Sequence, residues 1–312
     1  MTIIAIKKTV IALLYDFDKT LCTKDMQEYT FIPGVGMEPK EFWAEAAMMK
    51  RKHNMDAINA YMKLMLDKAR QAGKSVHRQD FVNLGKDVEF YPGVTSWFER
   101  INKFGQNMGV EIQHYIISSG LREIIEGCSI YPKFTRVYAS EFYYDENNVA
   151  CWTKMAVNYT GKTQFLFRVN KGALDIWDDQ LLNEYVPEDK RVVPFRNMIY
   201  FGDGMTDVPC MKLVRQNGGC SIAVHKPGQI ELGEKLLAEE RVNFSSEADY
   251  SKGKDLELLV AQIVTKMFLD DQLHQLSSQE CRDSKHKRDV YSLIDFLNKH
   301  GASSITFGRR KK

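Results

Sequence analysis

The sequence predicts an α/β fold: a doubly wound, mostly parallel, Rossmann-like sheet with a helical cap inserted after its first strand. Three observations carry this. Short continuous apolar runs recur at residues 10–14, 115–117, 137–139, 198–201 and 221–224, as strands buried on both faces read. Helical patterns stand between most of them, such as LREIIEG after Ser119 and DVPCMKLVRQ after Thr206. Such alternation means parallel strands joined by right-handed crossovers. One interval breaks the rhythm: between Thr23 and Glu89 no buried strand is legible.

Within that interval, PKEFWAEAAMMKRK and DAINAYMKLMLDKARQAG read as amphipathic helices. In the second, Ile58, Tyr61, Met62 and Met65 fall on one face and Gly73 follows as a stop. FYPGV at residues 90–94 marks the return to the sheet. ASEFYYDENNVACWTK carries aromatic and β-branched runs around DENN, a hairpin signal. VNFSSEADYSKGK reads as a loop before a helix. The expected organisation is a catalytic core over residues 1–21 and 90–270, a helical cap over 22–89, and a C-terminal extension over 271–312. The extension contains one amphipathic helix, VYSLIDFLNKH. It reads as a helix packed on the core or a tail, or else as a partner-binding or homodimer element.

With 44% hydrophobic and 27% charged residues, the chain falls among soluble globular proteins. Its formal net charge of +2 carries no nucleic-acid footprint, so no nucleic-acid polymer is expected as a partner; the terminal GRRKK reads as a solvated tail. Six cysteines without a Cys-x-x-Cys pair argue against a zinc site or disulfide framework and suit a reducing cytoplasm. Lys7 and Lys8 interrupt the apolar start, and no run approaches the ~18 residues of a membrane span. No signal peptide or membrane anchor is expected.

In an open α/β sheet, ligands bind beyond the carboxyl ends of the strands. The first strand delivers Asp16 and Asp18 there. HYIISSG delivers Ser118, Ser119 and Gly120, and MIYFGDGMTD delivers Asp203 and Asp207 with two glycines. Singly, each is ordinary: a strand-end turn pair, a loop, a glycine-rich turn. Together they set four carboxylates and a hydroxyl on one edge. The mutual repulsion calls for a divalent cation, and all-oxygen donors suit Mg²⁺.

DFDKT, then ISSG, then a lysine, then GDGMTD resembles the haloacid dehalogenase superfamily. The insert after the first motif resembles its phosphoserine-phosphatase-like branch with a small helical cap. The resemblance spans about residues 9–265 and implies residue roles. Asp16 would be the nucleophile on phosphorus, and Asp18 the general acid and base. Thr20 would order the loop at the substrate side. Ser118 would bind phosphate, with the amides of Ser119 and Gly120 opening the following helix as further anion donors. Lys162 in YTGKTQFLFR, or Lys171 in RVNKG, would neutralise the phosphoryl oxygens. Asp203 would bind metal beside Asp16 and the backbone carbonyl of Asp18, with Asp207 as the outer carboxylate orienting a metal water or the lysine. Gly202 and Gly204 would let the backbone turn tightly. Arg122 reads equally as a substrate contact or a packing residue.

The implied activity is Mg²⁺-dependent hydrolysis of a small phosphorylated metabolite through an aspartyl-phosphate. Asp18 argues against dehalogenation, since a leaving halide needs no proton. Phosphonate hydrolysis by a cap lysine (Lys40, Lys50, Lys52, Lys63 or Lys68), phosphotransfer, and a catalytically silent binding role are the alternatives. FIPGVGMEPKEFW and MMKRKHNMD are the candidate specificity segments. Residues 50–53 read as a solvated basic face or an anion-greeting one, and Met62 and Met65 as interior of the cap.

Overall fold

The structure, a computed structural model, describes residues 8–299. Its strands are β1 (Val10–Tyr15), β2 (Glu111–Leu121), β3 (Arg136–Tyr144), β4 (Ala150–Met155), β5 (Met198–Gly202), β6 (Cys220–His225) and β7 (Phe244–Glu247). They form one sheet ordered β4-β3-β2-β1-β5-β6-β7. All pairings are parallel except β3 with β4, the hairpin around DENN. β1 lies between β2 and β5, so the chain winds outward from it in both directions. The crevice of such a sheet opens at the carboxyl end of β1.

Between β1 and β2 lie α1 (Phe31–Gly34), α2 (Pro39–His53), α3 (Ala57–Gln71), α4 (Arg78–Leu84) and α5 (Val94–Asn107). The first four make the helical insert. A bridge between Cys22 and Phe90 closes its neck. Pro39 starts α2 and Asn54, at φ +48°, ends it. The Asp56 carboxylate caps α3 by accepting from the amides of Ile58 and Asn59. The expected apolar face of α3 is buried, Met62 and Met65 completely. α4 packs tightly on α6 (Arg122–Gly127), where a Cβ on Gly127 would stand 1.7 Å from the Val82 carbonyl oxygen.

The remaining helices are α7 (Thr163–Lys171), α8 (Asp179–Asn183), α9 (Val208–Gln216), α10 (Glu231–Ala238) and α11 (Asp255–Lys299). Successive strand residues face opposite sides. Ala12 and Leu14 share one core with Phe165, Leu166 and Val169 of α7 and Met211 and Val214 of α9. Tyr15 faces the other way and meets Phe98 of α5 edge-on. Residues 8–267 form one unit, and the rest of α11, from Phe268, belongs to another. Among the described residues no helix is long and apolar enough to cross a membrane. The GRRKK tail lies outside the described residues.

Two readings change. VNFSSE contains β7 rather than a loop alone; its polar, short edge strand is specified by pairing with β6, not by hydrophobic pattern. The second strand is longer than its apolar run, because β2 continues through Ser118, Ser119 and Gly120 to Leu121, which pairs with Ser140 past a register shift. Ser119 and Gly120 therefore belong to a strand and do not open α6.

β1 is anchored immediately before Asp16. The Trp97 indole N–H donates to the Tyr15 hydroxyl at 2.9 Å. Tyr15 then donates to His114 Nδ1 at 3.1 Å, which leaves His114 Nε2–H to donate to Asn102 Oδ1 at 3.1 Å. Only a neutral imidazole satisfies this chain. Burial accordingly pushes the His114 pKa down to about 3. Between that value and the ordinary 6.5, the unfolded chain binds a proton that the folded chain refuses. Stability is full above 6.5 and falls as pH drops through this window, by about 1.4 kcal/mol per pH unit for this group. Urea unfolding across acidic pH measures this, and His114→Gln is expected to flatten that part of the slope.

Candidate active site

The loop after β1 is compact. The amides of Thr20, Leu21 and Cys22 all converge on the Phe17 carbonyl. Lys19 sits in the left-handed region at φ +57°, and its ammonium reaches Asp25 at 2.5 Å. The Asp16 amide donates to the Phe201 carbonyl at 2.9 Å, tying the end of β1 to β5.

Lys162, at the start of α7, is buried and donates to Asp16 Oδ1 and to Asp207 Oδ1, both at 2.7 Å. The Tyr200 hydroxyl donates to the same Asp207 oxygen at 2.8 Å. Lys171 points elsewhere: its ammonium is held by the carbonyls of Leu182 and Glu184. Lys162 is thus the lysine brought to the carboxylates. Burial would lower its pKa, but Asp16 and Asp207 more than offset this and hold it above its ordinary value.

Oxygens of Asp16, Asp203 and Asp207 lie within 4.8 Å of one another. The Asp18 carboxylate stands outside this group. Its Oδ1 accepts from the Met26 amide at 2.7 Å. Burial pushes Asp16 up to about 7, with Lys162 pulling it back. Burial also raises Asp203, reinforced by Asp16 and Asp207, and raises Asp18, reinforced by Asp25 and Asp16. Ionised together, the carboxylates would carry more negative charge than Lys162 balances, and their raised values reflect this. A hard divalent cation fits this oxygen-only donor set and its charge deficit.

The other expected site residues are arranged differently from the sequence reading. Ser118 is fully buried, and its Oγ accepts from the Gly120 amide at 2.9 Å. That amide is not free for an anion; the Ser118 O–H remains a donor. Gly120 serves by lacking a side chain, since a Cβ would stand 2.7 Å from Asp18 Oδ2 and 2.1 Å from the Met26 methyl. Ser119 and Gly120 line the cavity, and Ser119 Oγ is buried without a partner. Thr20 lies away from the cavity. Its carbonyl accepts from the Tyr250 hydroxyl at 2.8 Å, which anchors the loop from below. Gly202 makes room for Asp207, whose Cγ a Cβ would approach to 2.6 Å; neither Gly202 nor Gly204 has a positive φ. Arg122 pairs with Glu126 and Glu141, a packing role.

A cavity of about 430 Å³ lies between these carboxylates and the helical insert. From the insert, Trp43, Lys50 and Tyr61 reach it. Lys63 and Lys68 pair instead with Asp67 and Glu45. The Tyr61 hydroxyl crosses to the Ser119 carbonyl at 2.7 Å, a direct strap from insert to β2. Sequence reasoning assigned Tyr61 only to an apolar helix face and passed over Tyr200 inside a strand run. Neither hydroxyl has a periodic signal, since each partner is set by tertiary packing.

Residues 13–212 match the family described as haloacid dehalogenase-like hydrolase. The chain belongs to this family. A Borreliella burgdorferi protein, described as uncharacterized, is 30% identical over 277 residues, covering 80% of this chain and 95% of that one. Among solved structures, a HAD family hydrolase from Salmonella enterica serovar Typhi is similar with TM-score 0.53 at 17% identity, covering 81% of this chain and 70% of that one. A phospho-aspartyl intermediate analogue of phosphoserine phosphatase is similar with TM-score 0.51 at 13% identity, over 81% and 98%. A probable phosphoserine phosphatase from Vibrio cholerae is similar with TM-score 0.53 at 14% identity, over 86% and 67%. At these identities the likeness shows the fold, which this hydrolase shares with phosphoserine phosphatases.

Metal and proton compete for the same oxygens. Without metal, folded Asp16 keeps its proton up to about 7, against an ordinary 3.8. Its contribution to stability is full below 3.8 and is lost as pH rises through about 7. A divalent cation held there would need the deprotonated oxygens, so its stabilisation would grow with pH. Thermal unfolding of chelator-treated protein is expected to show a Mg²⁺-induced Tm rise that is larger at pH about 8 than at about 6, and that Asp203→Asn abolishes.

Proposed function

We propose that this hydrolase cleaves a small phosphate monoester through an aspartyl-phosphate on Asp16, with Mg²⁺ as its cation. One observation carries the reading: Asp16 and Asp18 line the same cavity with opposite assignments. Asp16 Oδ1 is fixed by the Lys162 ammonium, which favours a carboxylate with Oδ2 left to attack. Asp18 is held well above the ordinary carboxyl range by burial, which favours a proton on its Oδ2. Burial raises both groups, but only Asp16 has an ammonium drawing it back, and such unequal environments suit a nucleophile beside an acid.

Asp16 Oδ2 forms a bond to phosphorus as the bond from phosphorus to the ester oxygen breaks. Asp18 gives its proton to the departing oxygen. Asp18, now a carboxylate, takes a proton from water as the water oxygen attacks phosphorus. The Asp16–phosphorus bond then breaks and inorganic phosphate leaves. Asp16, Asp203, the Asp18 carbonyl and Asp207, directly or through water, would hold Mg²⁺. When bound, the ion neutralises phosphoryl charge and aligns the phosphorus with Asp16. The Ser118 hydroxyl donates to a phosphoryl oxygen, and Lys162 balances charge on the group. The helical insert acts as a cap that excludes water and selects the leaving group. Phosphonate chemistry would need a cap lysine at the site; Lys50 is the insert lysine that lines the cavity, and hydrolysis of a monoester needs no such lysine.

The test is hydrolysis of an aryl phosphate with and without Mg²⁺. Asp16→Asn is expected to remove turnover. Asp18→Asn is expected to lower it by roughly 10²–10⁴-fold, and to release one equivalent of phenol before stalling as phosphoenzyme. Turnover retained by Asp16→Asn would overturn the covalent mechanism.

A further inference from the structure

The cavity contains more recognition surface than a phosphoryl group uses. Its volume of about 430 Å³ lies in the range of sites built for whole small molecules, roughly 300–1,000 Å³. The end formed by the insert is walled by Trp43 and Tyr61, whose rings meet edge-on with centroids 5.9 Å apart. Trp43 is fixed in place. Its indole N–H donates to Glu28 Oε1 at 2.9 Å, and Phe42 packs edge-on against it at 5.2 Å. A rigid indole with its N–H already committed offers an apolar edge and face to whatever lies beside it.

Gln27 lines the same cavity. Only 2% of the residue is exposed, yet its Oε1 is buried with no hydrogen-bond partner. Burying a carboxamide oxygen unpaired is costly, and such groups in native proteins are few. An apolar residue of the same shape would avoid that cost.

We propose that the insert end of the cavity takes a planar leaving group with a hydrogen-bonding edge, laid along Trp43 and read by the Gln27 carboxamide. The substrate class is an aryl or heteroaryl phosphate monoester carrying an amide-like group, and the assignment rests on the phosphatase reading above. Gln27 then acts as a specificity residue, and its unmet hydrogen bond is made when substrate binds. A site built to pair a polar group rejects an isostere that lacks it.

The probes are 3-carbamoylphenyl phosphate, its isosteric partner 3-isopropylphenyl phosphate, and glycerol phosphate. Each is assayed with Mg²⁺ on wild type, Gln27→Leu and Trp43→Ala. The readout is the ratio of kcat/KM for carbamoyl over isopropyl ester on one preparation, so the fraction of folded enzyme cancels. The difference in intrinsic leaving-group reactivity cancels between wild type and variant. Gln27→Leu is expected to lower the ratio about tenfold. Trp43→Ala is expected to lower the preference for both aryl esters over glycerol phosphate, through KM. A ratio that stays within about twofold in Gln27→Leu, with hydrolysis intact, overturns the inference and leaves the phosphatase reading standing. No hydrolysis of any ester by wild type overturns both.

Discussion

A buried ammonium between two buried carboxylates holds this site together. Lys162 is 1% exposed and bonds Asp16 and Asp207 at 2.7 Å each. Charges removed from water are costly unless paired and hydrogen-bonded. Each member of this trio is therefore tied to the others, and with them the end of β1 and the starts of α7 and α9. Tyr200 adds a further donor to Asp207. Removing Lys162 would leave carboxylates within 4.8 Å of one another with no protein cation between them. The same imbalance makes the cluster receptive to a divalent ion.

The rest of the architecture serves that constraint. A central β1 with parallel neighbours on both sides is what aims Asp16 into a crevice shared with Asp203 and Asp207. The Trp97–Tyr15–His114–Asn102 chain fixes the strand one residue before Asp16, and Tyr250 fixes the loop beyond it through Thr20. Glycines near the site mostly provide room: Gly202 for Asp207, Gly120 for Asp18 and Met26. The insert contributes the opposite wall, tied to β2 by Tyr61 and Ser119.

Asp18 and Asp16 illustrate how environment separates two like groups two residues apart. Both are buried, and burial raises both. Asp16 faces the ammonium of Lys162; Asp18 faces a backbone amide and the negative charge of Asp25. The difference comes from neighbours contributed by distant segments, α7 for one and the start of the insert for the other.

The α/β class, the insert and the carboxylate edge were legible in the sequence for a physical reason. Strands buried on both faces must be apolar runs, an amphipathic helix must show its period, and a strand end is where side chains leave the core. Asp16 follows β1 and Asp203 follows β5 as that rule has it, whereas Asp207 stands further on, at the start of α9; the five apolar runs all lie within strands. The rest needed tertiary structure. Thr160 and Gly161 before Lys162 and the helical pattern after it set it apart from Lys171, but only the packing of α7 aims it at the carboxylates. β7 is four residues, three of them polar, defined by its neighbour. Ser119 and Gly120 read as a helix start because the register shift extending β2 is a property of the pair of strands. Gln27, Trp43 and Tyr61 carry no common periodicity. Their meeting at one cavity is decided by how the insert folds back onto the sheet, which no local pattern encodes.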